Sequence, residues 1–280
     1  MNRIPGLPRK NPEKLGERKM PQLANLLPYA SEIGPISRAV AAIGVAVLIA
    51  GLAFSVADDP APWHTSVYTP VSALNFEDPA LRKCVLSEAS RNNWKASGEV
   101  SSLHCNGADG SGVKALSGIE NLANLSELDL SGNAISDTGP LGSLAHLESL
   151  DLSRNSIAVP KLRGLRASLR LLDLDENDIA TLDWVRDLPE IESLSVAYNR
   201  LAAVDALAGL DRLRMLNLAH NDITNVSALV DLPNLEVLDL EGNPVRDSAD
   251  LRRLRSLLFL DLREGGMPQH EVQGALNTTN

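Results

Sequence analysis

The 280-residue chain predicts an α/β solenoid, a stack of short parallel strands each followed by a tight helical return. Two observations carry this. First, Asn133, Asn155, Asn177, Asn199, Asn221 and Asn243 stand at an unbroken 22-residue interval, each closing the phrase L-x-x-L-x-L-x-x-N. A fixed period of this size means stacked repeats, in which each turn covers the apolar face of the next. Second, the apolar spacing switches within each unit. Leu216 and Leu218 lie two apart, so both point to one face of a strand; Ile223, Val226, Leu229, Leu232 and Leu235 then follow at steps of three. The first spacing fits a strand and the second a tight helical or 3₁₀ return. The recurrent Asn has a structural role at the bend after the strand. An inward carboxamide supplies both donor and acceptor to buried backbone groups that lack a ladder partner.

This pattern resembles the leucine-rich repeat family, and its 22-residue unit is most similar to the subclass found in internalins and in phosphatase-regulatory repeat proteins. The resemblance covers about residues 100–276. It implies a horseshoe or arc with the parallel sheet on its concave face, used for binding rather than catalysis. Two departures stand out. Leu162 and Leu165 sit one position early relative to Leu141 and Leu144, so the second return segment is expected to follow its own path. The last unit has Gly265 in place of Asn.

An open solenoid exposes a core at each end, which something must cap. Asp78-Pro79 is a helix start, with Asp as N-cap and Pro at the first helical position. The helix is expected to run to about Asn92, followed by a first strand within residues 99–105; this arrangement also resembles the helical cap of internalin-like proteins. Cys84 falls on the helix and Cys105 on the strand beneath it. In an oxidising compartment the pair is expected to join cap to array; the alternative is two buried free thiols. Residues 268–276 are expected to form a short closing helix.

Ahead of the repeats, residues 39–57 carry no charge over 19 positions, just enough to span a bilayer. Residues 1–38 hold seven Lys/Arg against three Asp/Glu, whereas the remainder of the chain is acidic, so the repeats are expected on the extracytoplasmic side. The alternative is secretion after cleavage at Ala57. The expected order is a basic cytoplasmic tail (1–38), a transmembrane signal anchor (39–57), a semi-extended linker (58–76), cap and first strand (77–112), repeats (113–264) and a closing segment (265–280).

The strand positions between the leucines form columns on the solvent side of the sheet. One column is acidic: Asp129, Asp151, Asp173, Ser195, Asn217, Asp239 and Asp261. Two positions earlier the column includes Leu171, Met215, Val237 and Phe259, apolar side chains where exposure to solvent is expected. Tyr198 and His220 share a further column in the turn. The acidic stripe suits a basic partner and repels nucleic acid, and the apolar residues with Tyr198 suit a binding hot spot. No catalytic motif, metal-ligand spacing or phosphate loop is present, so neither an enzyme, a metal nor a cofactor is expected. The chain therefore reads as a membrane-anchored extracytoplasmic repeat protein that binds a protein or peptide on its concave face. The alternatives are a module for envelope polysaccharide, a cytoplasm-facing adaptor of the phosphatase-regulator kind, and a structural spacer.

Overall fold

The computed structural model describes residues 69–107, 112–246 and 249–263. Helix α1 (Pro79–Asn92) precedes eight three-residue strands: β1 (Ser102–His104), β2 (Glu127–Asp129), β3 (Ser149–Asp151), β4 (Leu171–Asp173), β5 (Ser193–Ser195), β6 (Met215–Asn217), β7 (Val237–Asp239) and β8 (Phe259–Asp261). They form one parallel sheet in the order β1 to β8. Register follows the period of the sequence: Leu128 pairs with Leu150, Leu150 with Leu172, and so on to Leu260. Short 3₁₀ segments such as Gly139–Ser143 and Ser227–Asp231 carry the chain back. The repeated leucines are buried from Leu103 to Leu262 and make one continuous core.

The Asn ladder closes each bend. Asn221 donates from Nδ2 to the carbonyls of Val196, Leu218 and Ala219 at 2.9–3.2 Å, and its Oδ1 accepts from the Leu201 backbone N–H at 2.9 Å. The same four bonds recur at Asn155 and Asn177. Each carboxamide thus joins two successive turns as well as closing its own.

The displaced leucines of the second unit are both buried. Because Leu165 sits one place early, the step from it to Leu169 is four positions, where the step from Leu144 to Leu147 is three. The chain absorbs the extra residue as one α-type turn, with the Leu169 N–H donating to the Leu165 carbonyl at 3.0 Å. Gly164 lies here against the previous return segment, where an added Cβ would stand 1.8 Å from the Gly142 carbonyl oxygen; a Cβ on Gly142 would have its nearest neighbour at 3.7 Å. Gly164→Ala is therefore expected to destabilise the chain by about 2 kcal/mol through backbone displacement, and Gly142→Ala to be close to neutral. Chemical unfolding of the two variants side by side checks this.

Helix α1 begins at Asp78, whose Oδ1 accepts from the Ala80 and Leu81 N–H groups at 2.7 and 3.3 Å. Its Oδ2 accepts from Lys114 and Ala115 at 2.7 and 3.1 Å, so one carboxylate caps the helix and ties it to the array. Burial opposes the charge on Asp78, but these four N–H groups outweigh it and lower its pKa. Leu81, Val85 and Ala89 face the core. A disulfide joins Cys84 of α1 to Cys105 just after β1, with Cα atoms 5.7 Å apart.

The linker expected over residues 58–76 does not extend to its end. Val71, Leu74 and Phe76 are buried in the core, and Pro70 bridges to Ala96. Apolar side chains at 71, 74 and 76 give this stretch a face to bury, despite its prolines. The tail 1–38, the apolar segment 39–57, residues 58–68 and the closing segment from 264 onward lie outside the described residues. No helix among the described residues is long and apolar enough to cross a membrane.

Candidate functional site

The pairing sets the columns side by side as the 22-residue period requires. Glu127, Ser149, Leu171, Ser193, Met215, Val237 and Phe259 form one row across the sheet, and the acidic column forms the next. Strands ~4.8 Å apart bring in-register side chains into contact. Where large residues follow one another they cover each other. Met215 and Val237 are 3% and 5% exposed, so their expected exposure is corrected: with Phe259 beside them they make a continuous apolar floor. Leu171 and Phe259 are half-buried and Tyr198 is exposed. Asp239 and Asp261 are also buried, whereas Asp129, Asp151 and Asp173 keep part of their surface in solvent.

The aspartates do more than face outward. Each turns one oxygen back onto the chain two residues on, an Asx turn that starts the bend. Oδ1 of Asp129 accepts from the Ser131 N–H and hydroxyl at 2.9 and 2.7 Å, and Asp151 does the same with Ser153. Asp173, Asp239 and Asp261 accept from the backbone of Asp175, Glu241 and Arg263. Asn217 fills this role without charge, its Oδ1 accepting from Ala219 at 3.1 Å. Ser195 is too short to reach, and Asp175 substitutes from the neighbouring turn: its Oδ1 accepts from the Ala197 N–H at 2.7 Å and the Ser195 hydroxyl at 2.6 Å. This cross-strand replacement is invisible in the repeat pattern, because Asp175 occupies an ordinary variable position.

Burial raises the pKa of four of these aspartates, Asp151, Asp173, Asp175 and Asp239. Asp175 is pushed up to about 7, chiefly by burial, against the pull of its Ser195 and Ala197 bonds. Burial and then the neighbouring Asp175 and Asp151 hold Asp173 well above the usual carboxylate range, and Asp151 shifts the same way through burial. Asp239 rises to about 6, again chiefly through burial, with Asp261 and Glu241 adding to it. The folded chain therefore binds more protons than the unfolded chain between about pH 4 and 7, and stability must fall as pH rises through that window. The lowered Asp78 acts only below it. The melting temperature is expected to be higher at pH 5 than at pH 7.5, and Asp175→Asn to flatten the difference; thermal melts at the two pH values test both.

At the C-terminal end, Asp239, Glu241 and Asp261 each bring a carboxylate oxygen within 4.8 Å of the others. Arg263 already serves two of them, meeting Asp261 at 2.8 Å and Glu241 at 3.2 Å. In the turn after the strands, Arg154, Glu176, Tyr198 and His220 all take positive φ, a conformation filled by glycine at the equivalent positions 132 and 242. Tyr198 and His220 stack there, ring centroids 4.2 Å apart at 18°.

A family model described as Leucine Rich repeats (2 copies) matches residues 112–164 and 211–253. No curated protein sequence matches the chain. Among solved structures, an internalin (inlF) from Listeria monocytogenes is 25% identical with a TM-score of 0.61, over 70% of this chain and 59% of that one. The chain thus spans less than two thirds of that internalin. Internalin C2 (inlC2) from the same organism is 28% identical with a TM-score of 0.53, over 72% of this chain and all of its own. With the ladder of asparagines, the in-register sheet and these likenesses together, the chain carries leucine-rich repeats and is similar to internalins.

Proposed function

We propose that this protein binds a basic protein or peptide on the outer face of its sheet, the concave face of the arc. The observation that carries this is the in-register run Asp129, Asp151 and Asp173. It places three part-exposed carboxylates on adjacent strands, beside the apolar side chain of Leu171. Carboxylates this close on a rigid scaffold attract a cationic partner, whose charge in turn favours the ionised form of Asp151 and Asp173 against the burial that opposes it. The half-buried ring of Phe259 offers further apolar contact at the other end of the face.

The partner is met outside the cytoplasm, with residues 39–57 as the anchor and α1 as the cap at the membrane-proximal end of the array. The charge asymmetry around residues 39–57 supports this placement, and the Cys84–Cys105 disulfide fits an oxidising compartment.

Selection from a displayed peptide library tests the binding. Enriched peptides are expected to be basic, and Asp129→Asn/Asp151→Asn/Asp173→Asn to weaken them about tenfold while reducing the salt dependence. Asparagine preserves the Asx turn, as Asn217 does in the native chain, so the variant removes charge and keeps the fold. Enrichment of neutral or acidic peptides rejects the proposal. Placement is tested by protease treatment of intact cells carrying a C-terminal tag: shaving of the tag with survival of a membrane-bound fragment supports the anchor, and protection of the tag opposes it.

A further inference from the structure

Resting on the reading of a basic protein partner, we infer that this partner presents its cations along one face of an α-helix laid across strands β2 to β4. The pitch of the carboxylates carries this. Asp129, Asp151 and Asp173 are direct register partners, so they form a straight run over three adjacent strands. At a strand spacing of ~4.8 Å the run is about 9.6 Å long. It ends at His104, which pairs with Asp129, and at Ser195, which pairs with Asp173. A helix climbs about 1.5 Å per residue, so side chains at i, i+3 and i+7 share one face and stand at about 0, 4.5 and 10.5 Å along its axis. Each then falls within about 1 Å of a carboxylate. An extended segment laid the same way advances about 6.7 Å between side chains on one face, and meets the run with two cations rather than three.

The carboxylates are held at this pitch. Oδ1 of each is committed to an Asx turn, accepting from the N–H of Ser131 at 2.9 Å, of Ser153 at 2.8 Å and of Asp175 at 2.9 Å. That fixes where the other oxygen points, and Oδ2 of Asp151 and Asp173 accepts no hydrogen bond among the described residues. The same column takes a cation on β8, where Arg263 meets Asp261 at 2.8 Å. Over β2 to β4, Arg154 acts on Asp151 and Asp173 through its charge, but its guanidinium enters no ion pair among the described residues. Small neighbours leave room for a rod. Ser149 and Ser193 flank Leu171 in one row, and Ser131 and Ser153 are buried on the other side of the run. Leu171 precedes Asp173 by two residues, about 6.7 Å along the strand, which lies under a helix about 10–12 Å wide. An apolar side chain on the flank of the helix would rest there.

The test uses the full-length chain in non-ionic detergent and three peptides of equal charge. Two are side-chain-stapled helices of one composition, the first with lysines at i, i+3 and i+7 and the second with the same lysines spread around the helix. The third is unstapled, with lysines at alternate positions and prolines that exclude a helix. The first is expected to bind about tenfold tighter than either of the others, and Asp151→Asn to bring it down to their level. Equal affinity of the three, tighter binding of the extended peptide, or a preference for the first helix that survives Asp151→Asn overturns the helical partner but leaves the acidic run as a site for basic partners. Failure of all three to bind at low ionic strength overturns the helical partner and the proposed function together.

Discussion

Asn221→Ala is expected to lower the free energy of unfolding by about 3 kcal/mol. The carboxamide is 5% exposed and makes four bonds, three donated to carbonyls of two successive turns and one accepted from Leu201. Alanine leaves those backbone groups buried with no partner, and an orphaned buried group costs about 1–3 kcal/mol. Water entering the vacated space recovers part of this, which keeps the total below the sum of the bonds. Asn221→Asp is the sharper comparison. It keeps the acceptor for Leu201 but replaces the donor with a second oxygen facing three carbonyls, and is expected to be at least as damaging at pH 7. Urea unfolding of both variants measures the effect. A loss below 1 kcal/mol, with the m-value unchanged, would show that the bend tolerates loss of its carboxamide.

The second large effect concerns the disulfide. The bridge closes a loop with a sequence separation of 21, for which chain entropy alone gives about 3 kcal/mol. Cys84→Ser/Cys105→Ser should lose about that amount. The loss should be local first, because a stack of repeats is held by nearest-neighbour contacts and can open from one end. Amide exchange is expected to accelerate in α1 and β1 before it changes in β4 to β7. Two other ties oppose detachment of the helix: the Asp78 carboxylate on Lys114 and Ala115, and the buried side chains of Leu81 and Val85. If the double variant exchanges like the parent, these ties suffice and the bridge adds little.

The sequence determined the repeat by itself. Period, strand positions, register and the Asn ladder are all legible because each unit repeats the same contacts without an insertion, so one solution of the local geometry holds for every turn. Column membership on the outer face is legible for the same reason. Helix α1 was also readable, from Asp78-Pro79, although the second half of the work done by Asp78, its grip on residues 114 and 115, was not.

The tertiary structure decided what the columns do. Exposure depends on the size of neighbours contributed by adjacent strands, so Met215 and Val237 became buried beside Phe259 while Leu171, next to Ser149 and Ser193, remained partly open. The Asp column is a set of Asx turns as well as a charged stripe. Its break at Ser195 is mended by Asp175 from another turn, a contact that no local pattern announces. The same holds for Tyr198 and His220. Their 22-residue separation makes them column neighbours, but stacking needs positive φ at both positions and the missing side chain of Gly242. A repeating sequence determines the scaffold because its contacts are identical from turn to turn. The site is made of the residues that differ, and their effect is set by what the fold places next to them.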